Sequence, residues 1–255
     1  MIELLRLATQ GTHKILNFAS TLNVFSPMTQ TGHRVVNEAS SIQDERHITR
    51  QGYVASKWVG EAIVNLAVAR GIACNIFRLG LITADSELAR YDELQAFYRL
   101  FKSSIQMGMA FDDAYGDIEL TPVDFTAKAL ARLGCIYNPE ENIFHLSAAR
   151  GIPRCDFIKK LNEHLPQPMS VVSYRQWLQE ARRRYQKGEV LPITPLIQDM
   201  MMLNDEELDN FYQSQQEGSL GYDSSHTLIA LAKKEITLPV THHSWYRLLV
   251  DSLKG

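Results

Sequence analysis

The sequence contains few cysteines, no long apolar run and no large excess of charge. Its three cysteines, Cys74, Cys135 and Cys155, form neither a metal-binding spacing nor a disulfide framework, which indicates reduced thiols that mostly fill the core. No apolar stretch approaches the roughly 18 residues that span a bilayer, and Met1 leads straight into an amphipathic segment rather than a signal peptide. The net charge of −3 gives no indication of nucleic-acid or membrane binding. We therefore expect a cytoplasmic globular protein.

The histidines show no metal-ligand spacing either. The sequence has no H-x-x-x-H pattern and no close His/Cys pairing, although His242 and His243 are adjacent. The sequence therefore predicts no metal site.

Apolar periodicity predicts an α/β fold for the first part of the chain. A helix is expected over residues 2–10, a buried strand over 14–20, and a long polar loop from 23 to about 50. A strongly helical segment follows at 53–70, and a second strand at 73–78. A strand, a helix and a strand at this spacing form a βαβ unit of a parallel sheet.

The pattern changes along the rest of the chain. A helix is expected around 91–106, and Thr121 and Pro122 predict the N-cap and first residue of another. A short strand at 143–147 and a helix at 153–164 follow. After about residue 170 the segments are mostly helical, and they cover 174–186, 196–202, 204–216, 225–234 and 244–253. We therefore expect two domains, over residues 1–165 and 166–255.

The segment Gly52-Tyr53-Val54-Ala55-Ser56-Lys57 carries the most chemical information. It places a phenol and an ammonium group four residues apart, so on a helix they share a face about 5–6 Å apart. Because a nearby cation favours the phenolate, Tyr53 is suited to proton transfer at neutral pH. Tyr98 and Lys102 repeat the spacing, but they lie in a plain amphipathic stretch where packing is the simpler interpretation.

A hydroxyl that holds the substrate oxygen would complete such a site. Thr21 comes just after the predicted strand at 14–20, at the carboxyl end where parallel sheets place their ligands. A turn or cap hydroxyl is the alternative interpretation for a threonine at a strand end. The presence of Tyr53 and Lys57 downstream favours a catalytic role for Thr21.

Four motifs then occur in a fixed order along the chain. They are Ser20-Thr21-Leu22-Asn23-Val24, Gly52-Tyr53-x-x-Ser56-Lys57-Trp58-x-x-Glu61, Arg78-Leu79-Gly80-x-Ile82 and Leu120-Thr121-Pro122-Val123-Asp124. Together they resemble an extended short-chain dehydrogenase/reductase. The tryptophan after the lysine and the Pro-Val-Asp segment resemble the thioester reductase domains that end nonribosomal peptide synthetases and carboxylic acid reductases. The resemblance runs to about residue 165.

This resemblance implies a Rossmann-like doubly wound parallel sheet with a helical C-terminal substrate subdomain. It implies that Tyr53 protonates the developing oxyanion, that Lys57 favours the ionised phenol and binds the nicotinamide ribose, and that Thr21 donates to the same oxygen. NADPH would be the cofactor. The residues implied to contact it are Ser20, Tyr53, Lys57, Leu79, Gly80 and Leu81.

The implied substrate is an acyl or peptidyl chain joined as a thioester to the phosphopantetheine arm of a carrier protein. Reduction would give an aldehyde or, after a second hydride transfer, an alcohol. Two other interpretations stay open. One is a sugar-nucleotide epimerase, dehydratase or hydroxysteroid-type enzyme, which uses the same three groups. The other is a non-catalytic interaction module.

The sequence departs from the family at its beginning. None of the 14 glycines forms the G-x-x-G-x-x-G turn that holds the cofactor pyrophosphate at a helix N-terminus. We therefore expect the chain to begin partway through the fold and to bind NADPH weakly or not at all alone. Strand 14–20 would present a bare edge to a missing N-terminal half or to another chain.

Overall fold

The computed structural model describes residues 1–25, 33–43, 45, 52–114, 116–148, 151–202, 207 and 219–254. The chain forms two compact units, each assembled from three separate segments. The first unit consists of Met1–Thr83, Glu119–Arg150 and Gly218–Pro239. The second unit consists of Ala84–Ile118, Gly151–Glu217 and Val240–Gly255.

The helices and strands of the described residues are given in chain order. The helices are α1 (Ile2–Thr9), α2 (Gly52–Val68), α3 (Ala96–Met107), α4 (Val123–Leu133), α5 (Arg154–Asn162), α6 (Tyr174–Gln186), α7 (Thr194–Met201), α8 (Ser225–Ala232) and α9 (His243–Lys254). The strands are β1 (Leu16–Thr21), β2 (His33–Val36), β3 (Cys74–Leu79), β4 (Ile82–Thr83), β5 (Met109–Phe111), β6 (Thr121–Pro122), β7 (Ile143–Leu146), β8 (Ser170–Val172) and β9 (Ser219–Tyr222). None of the described helices is long and apolar enough to cross a membrane.

A parallel sheet with the strand order β1-β3-β7 forms the centre of the first unit. β1 pairs with β3 so that Ser20 lies opposite Arg78 and Thr21 lies opposite Leu79. Because α2 connects these two parallel strands, the predicted βαβ unit is confirmed. Within the described part of the chain, β1 lies at the edge of this sheet, as the sequence predicts.

Helices cover both faces of this sheet. Successive side chains of a strand point to opposite faces, and β3 is apolar on both. Ile76 packs in a cluster with Val64 of α2, whereas Phe77 packs in a cluster with Phe125 of α4 and Leu231 of α8. The first unit therefore has the layered helix–sheet–helix arrangement of a Rossmann-like fold, as predicted.

A glycine allows α2 to approach β1 closely. A Cβ atom at Gly60 would lie 2.6 Å from Cζ of Phe18, so any larger residue would push the helix or the ring away. Gly71, at a φ of +82°, follows the helix in the left-handed conformation that favours glycine. This close contact fixes the distance between α2 and β1, and with it the position of the polar side chains of α2 relative to the strand.

The core of the second unit is aromatic. The ring of Phe111 lies 4.6 Å from that of Tyr174 and 5.5 Å from that of Trp177, measured between centroids. The indole Nε1 of Trp177 donates a 3.0 Å hydrogen bond to Oγ of Ser104, which satisfies its polar atom in the core. Apolar burial and aromatic packing therefore hold α3 and α6 together.

Tyr98 confirms that the second tyrosine–lysine spacing is structural. Its side chain is 1% exposed, and its hydroxyl accepts a short hydrogen bond from the backbone N–H of Ala84. Burial raises the pKa of Tyr98, which disfavours the phenolate form. Tyr98 is a core residue of α3.

Several sequence predictions need correction. Thr121 is not the N-cap of a helix: it belongs to β6, its hydroxyl accepts a 3.0 Å bond from the backbone N–H of Ala148, and α4 starts at Val123. The expectation that the cysteines mostly fill the core is wrong, since Cys135 and Cys155 are exposed. The predicted helix at 204–216 falls largely outside the described residues.

Six short strands were not predicted: β2, β4, β5, β6, β8 and β9. β2 lies inside the expected polar loop, and it pairs in parallel with β9, which lies inside the expected helical third. β8 pairs with β5 in the second unit. Near β2 and β9, Oγ1 of Thr227 donates a 2.7 Å bond to the buried carboxylate of Glu38. The compact units thus interleave along the chain, whereas a single boundary at residue 165 was expected.

Candidate active site

Tyr53 and Lys57 lie one turn apart at the start of α2. The side chain of Tyr53 is 61% exposed, which leaves its ring open to a ligand. Nζ of Lys57 lies 5.9 Å from the centroid of this ring and donates a 2.9 Å hydrogen bond to the carbonyl of Ala19. The helix thus brings the phenol and the ammonium group together as their spacing predicts, and β1 anchors the ammonium group.

Thr21 is the last residue of β1. Its Oγ1 accepts a 3.3 Å bond from the backbone N–H of Asn23, in the single 3₁₀ turn at Leu22–Val24. Among the described residues this hydroxyl donates no bond, so its hydrogen is available for a substrate oxygen. The turn role, which was the alternative interpretation for Thr21, uses only the acceptor capacity of this hydroxyl.

Leu79, Gly80 and Leu81 lie at the carboxyl end of β3, beside the end of β1. Thr21 pairs with Leu79, and the backbone N–H of Gly80 donates a 2.9 Å bond to the carbonyl of Leu146 in β7. A Cβ atom at Gly80 would lie 3.0 Å from Oγ of Ser147, so a side chain here would crowd the strand end. Thr21, Leu79, Gly80 and Leu81 therefore lie together at the carboxyl end of the parallel sheet, where α/β folds bind their ligands.

A buried ion pair lies directly beneath the carboxyl ends of β1 and β3. Glu61, one turn after Lys57 on α2, accepts a 2.9 Å bond from Nε of Arg78 in β3 and a 2.7 Å bond from Oγ of Ser20 in β1. Glu61 and Arg78 are at most 1% exposed. The hydroxyl of Ser20 thus donates its hydrogen to Glu61, so it can only accept a hydrogen bond from a cofactor.

Glu61 and Arg78 both lie within the sequence motifs, but the sequence analysis assigns neither of them a role. The signal was present, because Arg78 is the one charged residue in the otherwise apolar or neutral strand Cys74–Leu79. A charge in a buried strand requires a partner. Glu61 supplies it from the same helix face as Lys57, which ties the helix that carries Tyr53 to both strands.

His145 extends this network from β7. Its Nε2 lies 3.2 Å from Nη1 of Arg78, and its Nδ1 lies 3.1 Å from the carbonyl of Asp223. Because a guanidinium can only donate and a carbonyl can only accept, the ring is neutral with its proton on Nδ1. Burial, reinforced by the charge of Arg78, lowers the pKa of His145 to about 4.

The neutral His145 makes folding stability depend on pH. The unfolded chain binds a proton at this residue below about pH 6.5, whereas the folded chain resists it down to about 4. The contribution is therefore complete above pH 6.5 and is lost as the pH falls towards 4, which costs up to about 3 kcal/mol of unfolding free energy. Urea unfolding at pH 7 and pH 5 measures this loss.

The matched variants separate His145 from the other titrating groups. His145→Asn should reduce the difference in unfolding free energy between pH 7 and pH 5, because asparagine does not titrate. His13→Asn, at an exposed position, should keep the wild-type difference. Equal pH dependence in His145→Asn and wild type would contradict the neutral buried imidazole.

The chain matches a known protein family and is similar to several known proteins. A family model described as male sterility protein, of the NAD-binding class, matches residues 1–130, which is just over half of the chain. A linear gramicidin synthase protein of Brevibacillus parabrevis is 35% identical over 144 residues, covering 56% of this chain and 3% of that protein. Glycine betaine reductase ATRR of Emericella nidulans is 28% identical over 188 residues, covering 73% of this chain and 15% of that protein.

The fold is shared with a solved reductase-type domain. The terminal R domain from the myxalamid PKS-NRPS biosynthetic pathway superposes with a TM-score of 0.77 at 25% identity. The match covers 98% of this chain and 60% of that domain. The chain spans a much smaller share of the two relatives above, 3% and 15% of their lengths. The match to the family model and the shared Rossmann-like fold together show that the chain belongs to the male sterility protein family of NAD-binding proteins, with the fold of a reductase domain of the nonribosomal peptide synthetase type.

Proposed function

We propose that this chain contributes the catalytic part of a reductase that converts a carrier-protein-bound acyl or peptidyl thioester to an aldehyde or alcohol with NADPH. The observation that carries the proposal is the hydrogen bond from Lys57 to the carbonyl of Ala19, which ties the helix turn that carries Tyr53 and Lys57 to β1, the strand that ends at Thr21. A phenol, an ammonium group and a hydroxyl with an available hydrogen, all near the carboxyl end of the sheet, are the groups that a proton-donating site needs.

The residues at this edge fit the nicotinamide end of a dinucleotide. Gly80 has no side chain and is half-buried against Ser147, so its backbone is the part that could border a flat ring at this strand end. Among the described residues, Lys57 donates one hydrogen bond, to Ala19. An ammonium group has three donors, so capacity is left for ribose hydroxyls. Leu79 and Leu81, both half-buried, flank Gly80 with apolar surface.

The described residues do not include a comparable site for the pyrophosphate. No glycine-rich turn of the Rossmann type occurs in the sequence, and that turn is where a parallel fold binds phosphate at a helix N-terminus. We therefore expect weak NADPH affinity for these 255 residues alone. The preference for NADPH over NADH belongs to the proposal as well.

The bound cofactor would supply a hydride to the thioester carbonyl carbon. Thr21 donates a hydrogen bond to the carbonyl oxygen, which holds it as negative charge develops. Tyr53 donates its proton to this oxygen, and Lys57 stabilises the resulting phenolate. When the carbon–sulfur bond breaks, the oxygen gives up the proton it received from Tyr53 and the leaving sulfur takes it. The aldehyde and the free thiol are then released, and Tyr53 regains a proton from solvent. The same groups would protonate the alkoxide formed if the aldehyde is reduced again.

The substrate class is proposed from the relatives. A linear gramicidin synthase and the R domain of a PKS-NRPS pathway both belong to assembly lines by their names. Such assembly lines hold their intermediates as thioesters on carrier proteins, so a carrier protein with its phosphopantetheine arm is the proposed partner. The relatives favour this substrate over sugar nucleotides and steroids, although the enzymes that act on sugar nucleotides and steroids use the same three groups.

Two measurements test the proposal. Isothermal calorimetry with NADPH and NADH is carried out on the 255-residue chain and on any longer natural chain that contains it. The consumption of NADPH is then followed with an acyl thioester on a carrier protein, with the free acid and a sugar nucleotide as controls. We expect turnover of the thioester only, together with release of the free carrier thiol.

The outcomes distinguish the alternatives. Turnover of the sugar nucleotide instead of the thioester would favour the epimerase or dehydratase interpretation. If neither form of the chain binds either cofactor, the proposal fails and a non-catalytic interaction module takes its place.

A further inference from the structure

A cluster of potential metal ligands lies in the second unit, where α5 ends and α9 begins. Glu163 directly follows α5, His164 follows it, and His243 is the first residue of α9. One ligand atom from each residue lies within 4.8 Å of the others. The two imidazole rings have centroids 4.5 Å apart, and Nδ1 of His243 lies 3.5 Å from a carboxylate oxygen of Glu163.

One nitrogen of this cluster lacks a partner. Nε2 of His164 is shielded from solvent and has no hydrogen-bond partner among the described residues. A buried polar atom without a partner is destabilising, so native structures rarely contain one without a reason. The backbone of His164 is fixed, because its N–H donates to Leu161 and its carbonyl accepts a 3.4 Å bond from Lys254.

We propose that Glu163, His164 and His243 form a binding site for a divalent transition-metal ion of the Zn²⁺ type. Two imidazole nitrogens and one carboxylate oxygen suit Zn²⁺, Co²⁺ or Ni²⁺, whereas Mg²⁺ and Ca²⁺ require mainly oxygen ligands. Three protein ligands leave a fourth position for water. The unpartnered nitrogen of His164 becomes a metal ligand.

The geometry requires only small movements. Ligand atoms around a tetrahedral Zn²⁺ lie about 3.3 Å apart, since each metal–ligand bond is about 2.0–2.1 Å long. The cluster spans up to 4.8 Å, and its two outer members are mobile enough to close it, because the side chains of Glu163 and His243 are 47% and 68% exposed. Rotation of these two side chains towards the fixed His164 completes the site.

The bound ion would connect α5 and α9 of the second unit. α5 and α9 already pack through Phe157 and Tyr246, whose ring centroids lie 5.8 Å apart. The cluster lies at one end of this contact, so the metal adds a cross-link between helix ends that are distant in sequence. A surface ion pair between Glu163 and His243 is the alternative, and it would contribute little.

Calorimetric titration with ZnCl₂ tests the site in the full 255-residue chain. Cys135 and Cys155 are exposed thiols that compete for Zn²⁺, so the titration uses a background in which both are serine. We expect one Zn²⁺ per chain and a higher thermal unfolding midpoint with the metal than without it. Mg²⁺ at the same concentration should have no effect.

Three ligand variants and one neighbour provide the comparison. Glu163→Gln, His164→Gln and His243→Gln should each weaken Zn²⁺ binding at least about tenfold. His242→Gln, at an exposed histidine next to the cluster, should bind as the background does. Unfolding midpoints without metal show that each variant is folded.

Two results would overturn the assignment. One is a background chain that binds no Zn²⁺. The other is binding that keeps its affinity in the two exposed-ligand variants, Glu163→Gln and His243→Gln, which would place the ion elsewhere.

Discussion

Replacing Tyr53 by phenylalanine is expected to lower the turnover of NADPH-dependent thioester reduction about 10²–10⁴-fold, the usual range for loss of a general acid. The change removes one oxygen atom from a side chain that is 61% exposed, so packing of α2 should be unaffected. The oxyanion formed at the thioester carbon would then keep only the hydrogen bond from Thr21. Single-turnover measurements with saturating cofactor, in the form of the chain that binds NADPH, give this rate directly.

The controls for Tyr53→Phe separate chemistry from binding. Cofactor affinity should change little, because Lys57 and the strand ends that are proposed to hold the nicotinamide are untouched. Tyr137→Phe, at a half-buried tyrosine away from the α2–β1 edge, should keep wild-type turnover. Near-wild-type turnover in Tyr53→Phe would remove the phenol from the mechanism.

Replacing Arg78 by methionine is expected to destabilise the chain by about 3–5 kcal/mol, the usual cost of leaving one member of a buried ion pair uncompensated. Glu61 would keep a charge at a site with 0% exposure, and among the described residues the hydroxyl of Ser20 would be its remaining partner. The carbonyl of Ser40 would also lose its 3.2 Å bond from the guanidinium. Urea unfolding with a shared slope gives the difference in unfolding free energy.

The double variant Glu61→Leu/Arg78→Met tests why the single variant fails. Since the isolated charge causes most of the loss, removing both charges should restore part of the stability lost in Arg78→Met. Arg6→Met, which breaks the exposed pair with Glu3, should leave the unfolding midpoint unchanged. A double variant less stable than both single variants would show that the hydrogen bonds, rather than the charge balance, hold the network.

The parts of the site that depend on short-range spacing were predictable. Tyr53 and Lys57 fall four residues apart, so any helix through them places both groups on one face. Thr21 follows an apolar strand, and the parallel arrangement places that strand end next to Leu79. These inferences need only the helical period and the rule that parallel strands bind ligands at their carboxyl ends.

The parts that depend on distant partners were not predictable from local pattern. Thr121-Pro122 carries a helix-start signal, but pairing with β4 turns it into a strand and delays the helix to Val123. His164 and His243 lie on separate segments, so no spacing rule connects them. Strands as short as β2 and β9 carry too little periodicity to be recognised before their partners are known.

The pairing of β2 with β9 has a consequence for how the protein is made. Glu38 and Thr227, which are hydrogen-bonded beside these strands, are 189 positions apart. On the ribosome, β1, β3 and the helix that carries Tyr53 emerge well before β9, so β2 must wait for its partner until β9 has been translated. Closing so long a loop is slow and exposes unpaired backbone meanwhile. The nascent chain is therefore most exposed to aggregation and to chaperone capture between the synthesis of β2 and that of β9.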